Sequence, residues 1–204
     1  MIETEAREWI ETHFGVSRGT TIADLVAMVV AESTNQNLVA ASTLPAIWSR
    51  HIIDSAQLLR LAPDRAGLWV DIGTGAGFPG MVIAALRDEP ILLVEPRKRR
   101  AEFLAHAAGR LGLRNVTVAA CKIERAAPVR ASIISARAVA SLDKLFDFAA
   151  AIADAETLWL LPKGQSATNE LAQARQAWQG VFHVEQSLTD PDAAIIVATG
   201  VRPR

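Results

Sequence analysis

The sequence holds one cysteine, Cys121, in 204 residues. An internal disulfide is therefore excluded, and a reducing cytoplasm is the compartment that fits such a count. Apolar runs are short as well, and none approaches the roughly 18–20 uninterrupted residues that a membrane-spanning helix needs. The stretch Met1 to Trp9 carries three glutamates and no cationic segment, the reverse of a secretory signal. The four histidines are scattered, and with a lone cysteine they offer no metal-ligand spacing, so no metal is expected. An excess of charge of one sign is also missing. A net charge of −1 argues against non-specific coating of nucleic acid but leaves room for a local basic patch. Internal repeats, low-complexity tracts and long linkers are absent.

What is present is the material of a globular core. Half of the residues are hydrophobic and 21% are charged, and the length suits one domain with a modest appendage. The chain divides by pattern into a helical N-terminal extension, residues 1–62, and a core, residues 63–204. In the first part, helices are expected at Glu3–Phe14, Thr20–Ser33 and from about Thr43 to Leu61. Ile22, Leu25, Val26, Val29 and Val30 recur at helical spacing and give the second of these one apolar face. The Leu44-Pro45 step fits entry into the third.

From Leu68 onward short apolar strands alternate with longer helical stretches. Strands are expected at Leu68–Ile72, Ile91–Glu95, Val116–Ala119, Ser132–Ser135, Thr157–Leu161 and Ile195–Thr199. Helices are expected at Pro79–Arg87, Arg97–Leu111, Ser141–Ala153 and Ala167–Trp178. Leu92-Leu93-Val94 is apolar on successive residues, as in a parallel strand covered on both faces. Val181–Gln186 and Ile195–Thr199, joined across Asp190-Pro191-Asp192, read as a closing antiparallel pair. The expected fold is an α/β doubly wound, Rossmann-like sheet, mostly parallel with an antiparallel final strand.

The most informative segment is Val70-Asp71-Ile72-Gly73-Thr74-Gly75-Ala76-Gly77-Phe78-Pro79-Gly80. It follows a strand and opens a helix, and its glycines permit a tight turn and close ligand approach. Glu95 ends the next strand about twenty residues later, where a carboxylate can accept hydrogen bonds from both hydroxyls of a ribose. Two cofactor classes share this spacing. Gly75-x-Gly77-x-x-Gly80 passes for a dinucleotide fingerprint, and Asp71-x-Gly73-x-Gly75-x-Gly77 for the first motif of a class I methyltransferase. Asp71, at the strand end, suits the ammonium of S-adenosylmethionine. Pro79, placed in the first helical turn, removes an amide that a pyrophosphate would use. A methyltransferase is favoured; a dinucleotide binder and a ligand-free turn stay open.

Further segments narrow the choice. They are Asn37-Leu38, Arg50-His51-Ile52-Ile53-Asp54-Ser55, Arg97-Lys98-Arg99-Arg100-Ala101-Glu102-Phe103-Leu104, Ser135-Ala136-Arg137-Ala138-Val139-Ala140-Ser141-Leu142 and Leu161-Pro162-Lys163-Gly164-Gln165. With the glycine turn they make the chain, from about Asn37 to Thr199, resemble the RsmG (GidB) family. That family methylates N7 of guanine 527 in the 530 loop of 16S ribosomal RNA. The resemblance implies S-adenosylmethionine as cofactor and 16S rRNA, within the 30S subunit or its precursor, as partner. It implies that the turn from Gly73 through Gly75 to Phe78 contacts the cofactor and that Ile123 and Glu124 border the adenine. Arg137 would lie near the cofactor or the incoming base. Two departures stand out: Glu32-Ser33 replace the family's usual Trp-Asn, and Ser135-Ala136-Arg137 is one residue longer than the usual Ser-Arg.

The residues themselves add chemistry. N7 of guanine carries a lone pair and no proton, so its methylation needs positioning and not a general base. An Asn/Asp-Pro-Pro-aromatic turn, the mark of exocyclic-amine methylation, is not found after the fourth strand. Cys121, beside the expected adenine site, reads as packing and not as a nucleophile. Arg137 can grip a phosphate or stack on a base; its alternative is a salt bridge to Glu124 or Asp143. Lys163 can neutralise a phosphate or stand as a surface lysine. His51 and Asp54, three apart on one helix face, read as a hydrogen-bonded pair, and the resemblance sets them on the RNA-facing side. Arg97 to Arg100 are either a solvated helix face or a phosphate contact. The five tryptophans read as core, and a monomer is expected.

Overall fold

The computed structural model describes residues 1–126 and 129–204. Helix α1 (Glu3–Phe14) follows the expected bounds, and α2 (Val16–Glu32) starts four residues before the expected Thr20. The reason is local. Gly15, at φ +87°, turns the chain between the two helices. The hydroxyls of Thr20 and Thr21 donate to the carbonyls of Val16 and Ser17 (3.1 and 3.2 Å) and so sit inside the helix, where they satisfy themselves instead of capping it.

The third expected helix is a helical run whose hydrogen bonding changes along its length. A 3₁₀ segment (Ala41–Ala46) passes into a π segment (Trp48–Ile53), then a single α turn, α3 (Asp54–Ala56), and a closing 3₁₀ segment (Gln57–Leu61). The Glu3 carboxylate accepts the amides of Trp48 and Ser49 at 3.0 and 2.9 Å, a negative charge where a helical segment leaves N–H groups unpaired. Arg7 lies over the Trp48 ring at 4.4 Å. A uniform α-helix from Thr43 to Leu61 is thus corrected, because Pro45 removes one amide and tertiary bonds to α1 reset the register at Trp48.

The sheet contains β1 (Trp69–Ile72), β2 (Ile91–Val94), β3 (Val116–Ala119), β4 (Ile133–Ala136), β5 (Leu158–Lys163), β6 (Trp178–Gln186) and β7 (Ala194–Pro203), in the order β3-β2-β1-β4-β5-β7-β6. The first five are parallel, and β7 runs antiparallel to both β5 and β6. The strands fall within a few residues of expectation except the last pair, which is longer. Pairing continues to Trp178 opposite Pro203, past a bulge between Gln179 and Val181. Connecting helices are α4 (Gly80–Leu86), α5 (Lys98–Arg110), α6 (Leu142–Ala149) and α7 (Ala167–Ala177). Helix α6 ends earlier than expected, in a turn where the amides of Ile152 and Ala153 both return to the Ala149 carbonyl. Pro79 caps α4 from outside instead of entering its first turn.

Side chains alternate across the sheet, so each strand feeds two cores. Trp69, Leu93, Ile133 and Leu160 face the α1–α2 layer, the 41–61 run, α4 and α5. Val70, Leu92, Ile134 and Trp159 face α6 and α7. There the Phe146 ring meets Trp159 edge-on at 5.0 Å, a favoured aromatic geometry. Trp48, Trp69 and Trp159 are buried, as expected of core tryptophans. Residues 1–62 therefore share a hydrophobic core with one face of the sheet. Among the described residues no helix is long and apolar enough to cross a membrane.

Candidate active site

The carboxyl ends of β1, β2, β4 and β5 form one edge, where ligands bind in doubly wound sheets. On its β1–β2 side the glycine turn is built almost wholly from backbone. Gly73, Gly75 and Gly77 all take positive φ (+69°, +61° and +108°), conformations that favour glycine. The Gly73 amide donates to the Val94 carbonyl (2.7 Å), and the amides of Gly77 and Phe78 donate to the Thr74 carbonyl. Glu95 is 3% exposed; its two carboxylate oxygens accept the amides of Gly75 (2.9 Å) and Arg97 (2.8 Å). The carboxylate thus spans the turn and the entry to α5. A Cβ at Gly75 would sit in ordinary contact with Arg100 Nη1 and the Gly73 carbonyl, both at 3.7 Å, so the glycine is required there by its positive φ and not by crowding. Ile123 is buried in the core that also holds Ile72 and Val94, while Glu124 is exposed.

Asp71 stands at the end of β1, as expected, but points into the protein. It is fully buried, directly opposite Ser135 in the β1–β4 register. Its Oδ1 accepts from Ser135 Oγ at 2.6 Å and its Oδ2 from the Gly80 amide at 3.0 Å. Ser135 Oγ also accepts from the Trp69 indole N–H at 2.8 Å. Asp71 therefore ties the far end of the turn to the sheet from beneath, with both carboxylate oxygens engaged. Burial pushes its carboxyl up to about 6, against the opposing pull of the hydrogen bonds from Ser135 and Thr74. Gly80 owes its identity to this contact, since an added Cβ would lie 2.6 Å from Asp71 Oδ2 and 2.4 Å from Leu93.

The β4–β5 side is built from side chains. Arg137 follows β4 and donates from Nη1 to Asp54 Oδ2 (2.8 Å) and to the Arg50 carbonyl (3.3 Å). Its Nη2 donates to His51 Nδ1 at 3.0 Å. The expected partners Glu124 and Asp143 are replaced by Asp54, because the 41–61 run is folded against this edge. The guanidinium lies 5.7 Å from the Phe78 ring, and His51 stacks on the same ring at 5.1 Å with planes 5° apart. Phe78 is buried, so it supports these two residues as well as ending the glycine turn. Burial, then the charges of Arg137 and Arg50, lower His51 to about 4. The imidazole is neutral near pH 7.

Next to Arg137 a cavity of about 810 Å³ opens, lined by Arg50, Asp54, Arg137, Ser141, Lys163 and Asp190 among others. Lys163 is neither a surface lysine nor a free cation. It is largely buried, donates to the Ala140 carbonyl and pairs with Glu170, both at 2.8 Å. The loop between Arg137 and Ser141 holds a non-glycine residue with positive φ, Ala138 at +57°, a strained conformation of the kind that gathers at functional sites. This places Val139 against Gly73, where an added Cβ would lie 2.6 Å from its Cγ2.

Gln57, Thr43, Ser135, Thr189 and Glu170 belong to this edge and were not singled out from the sequence. Ser135 carries a visible signal, a polar residue in an apolar strand, and Gln57 lies three residues beyond Asp54. The basic run proves partly structural. Arg99 and Arg100 donate to the carbonyls of Asn35 (3.4 Å) and Asn37 (2.8 Å), and Lys98 faces Glu102 at 3.8 Å. Cys121 is a half-buried free thiol. Among the described residues no cluster of three or more His, Cys, Asp or Glu is disposed to hold a metal.

The parallel sheet with one reversed strand, the glycine turn and the carboxylate after β2 define a methyltransferase-type Rossmann-like fold. The fold is shared with a mutant of MtNAS solved in complex with S-adenosylmethionine, at a TM-score of 0.64 and 14% identity, over 88% of this chain and 71% of that one. Residues 19–192 match the GidB family, described as rRNA small subunit methyltransferase G, and the chain belongs to that family. It is 49% identical over 201 residues to the "Ribosomal RNA small subunit methyltransferase G" of Sphingopyxis alaskensis, covering 97% of this chain and 86% of that protein. The protein of the same name from Zymomonas mobilis subsp. mobilis is 46% identical, covering 100% and 96%.

Proposed function

We propose that this protein transfers a methyl group from S-adenosylmethionine to N7 of guanine 527 in the 530 loop of 16S rRNA. The cofactor is S-adenosylmethionine, and it supplies a methyl group activated by attachment to a sulfonium. Gly73 and Gly75 would give it backbone access, Glu95 would accept from its ribose hydroxyls, and Ile123 and Glu124 would border its adenine. Phe78 and Arg137 would close the side towards the acceptor. The fit is supported by the positive-φ glycines of the turn and by the Glu95 carboxylate held at it by two amides.

The observation that carries the reading is the character of the groups beside the cavity. Arg137 and Lys163 are already held in ion pairs, and the His51 imidazole has both nitrogens engaged. Such groups hold and orient. Guanine N7 asks for no base, because its lone pair attacks directly. The cavity beside Arg137 is the acceptor site in this reading. Residues 1–62 and 63–204 act in it as one unit, and the substrate is 16S rRNA within the 30S subunit or its precursor.

Labelled S-adenosylmethionine, offered with 30S particles and naked 16S rRNA from cells lacking this protein, tests the proposal. Label mapped to the 530-loop guanine by cleavage at 7-methylguanosine is the expected result. Firm binding of S-adenosylhomocysteine with no transfer to either substrate would overturn the assigned acceptor.

A further inference from the structure

We propose that His51 and Asp54 are positioning residues that hold the Arg137 guanidinium in a single plane over Phe78, between the glycine turn and the acceptor cavity. The N-terminal extension then orients a group of the site as well as covering the sheet. This rests on the reading of the site as a methyl-transfer centre.

The directions of the hydrogen bonds are fixed by donor chemistry. Arginine only donates, so His51 Nδ1 must be the acceptor of the 3.0 Å bond. The proton then sits on Nε2, which donates to Thr43 Oγ1 at 3.0 Å, and Thr43 Oγ1 donates onward to the Ala40 carbonyl at 2.8 Å. One tautomer satisfies the whole chain, and a hydrogen bond at one ring nitrogen decides what the other can do. The 5° stack on Phe78 keeps the ring from swinging away.

Asp54 is fixed just as firmly. Its Oδ2 takes Arg137, and its Oδ1 takes Gln57 Nε2 at 3.0 Å and Thr189 Oγ1 at 3.3 Å. Gln57 in turn donates to Ser187 Oγ and accepts the Leu188 amide. The network therefore joins the 41–61 run, the loop after β4 and the turn between β6 and β7. An ion pair kept for stability alone needs Asp54 only. A neutral imidazole adds no counter-charge; its contribution is an acceptor on Nη2, while Asp54 and the Arg50 carbonyl both take Nη1, so the two ends of the planar fork are held from different sides.

The test uses the full chain and a double-mutant cycle. His51→Leu, His51→Asn, Asp54→Asn and Arg137→Ala are prepared singly and, for the first three, combined with Arg137→Ala. Methyl transfer to unmethylated 30S particles, S-adenosylhomocysteine affinity by calorimetry and thermal melting are measured for each. His51→Leu and Asp54→Asn should lower kcat about 10- to 100-fold, as misplacement of an orienting group does, with KM for the particle within about threefold. His51→Asn sets an amide oxygen near the place of Nδ1 and should recover about tenfold over Leu. In the Arg137→Ala background neither change should cost more than about twofold, since residues acting through one group are non-additive. Costs that add in full to Arg137→Ala, or an Asn variant as poor as Leu, would overturn the proposal. If Asp54→Asn does not fold, the His51 pair decides. If wild-type protein methylates no particle, the cycle is read on cofactor affinity, so failure of the substrate assignment stays separate.

Discussion

The two halves of the site edge hold their shape by opposite means. On the β1–β2 side, backbone amides close on two carboxylates: Glu95 takes Gly75 and Arg97, and Asp71 takes Gly80. The amide partners lie at most twenty residues apart along the chain, and the Ser135 hydroxyl, 64 residues on, adds one distant bond to Asp71. On the β4–β5 side, side chain meets side chain over much longer separations. Asp54 meets Arg137 and Thr189, and Gln57 meets Leu188. The first half is a local device that any strand-turn-helix with the right glycines can form. The second exists only after the N-terminal run, the β4 loop and the β6–β7 turn have come together. Backbone-built turns suit a ligand shared by many proteins, whereas assembled side-chain networks can be tuned to one acceptor.

The sharpest break of the local half is Gly80→Ala. The new Cβ would press on Leu93 and on Asp71, and overpacking beside a buried carboxylate should cost about 3 kcal/mol. Urea unfolding at pH 7 measures it; a loss under about 1 kcal/mol would mean that the turn yields and is not rigidly backbone-defined. Ser135→Ala comes next. It strips a hydrogen bond from Asp71 and one from the Trp69 indole, and leaving buried polar groups unpaired should cost about 2 kcal/mol. A near-neutral result in the same unfolding assay would show that Asp71 is held by Gly80 alone.

Acidity separates the halves by sign. Asp71 is raised from 3.8 to about 6, so the stability it contributes is full below its unfolded value and is lost as pH rises through 6. His51 is lowered from 6.5 to about 4, so its contribution is full above 6.5 and is lost as pH falls through 4. The two spans overlap and oppose each other, at about 3 kcal/mol for the buried carboxyl and about 2 for the partly screened imidazole. Wild-type stability should therefore change little on their account between pH 4.5 and 6.5. Asp71→Asn should gain stability with rising pH and His51→Asn should lose it, in urea midpoints across that interval. Parallel slopes in all three proteins would remove the distinction.

A milder probe is Glu95→Gln, which keeps the shape but weakens acceptance from Gly75, Arg97 and a ribose. S-adenosylhomocysteine affinity by calorimetry should fall about tenfold, roughly 1.4 kcal/mol. Unchanged affinity would leave Glu95 as a brace for the turn only. Smallest of all is Thr43→Val, which removes the acceptor of the His51 Nε2 proton. It should cost about 1 kcal/mol, while imidazole ¹⁵N shifts should still report the proton on Nε2, as the bond from Arg137 to Nδ1 requires. A mixed tautomer in the variant would show that Arg137 does not hold Nδ1 as an acceptor.

The sequence by itself determined the sheet, the glycine turn and the carboxylate after β2, because each is written within a short window. Apolar periodicity marks the strands, glycine marks the turn, and Glu95 falls a fixed distance later. The family resemblance was legible in the same way, as contiguous segments. Tertiary structure decided which way the polar residues face. Asp71 looked like a ligand group and is buried against Ser135, since a residue at a strand end sees its neighbour in the sheet before it sees solvent. Lys163 looked free and is paired with Glu170. Arg137 was recognised, but its partners His51 and Asp54 lie more than eighty residues away. No local pattern encodes a contact between segments that only the folded sheet brings to the same edge.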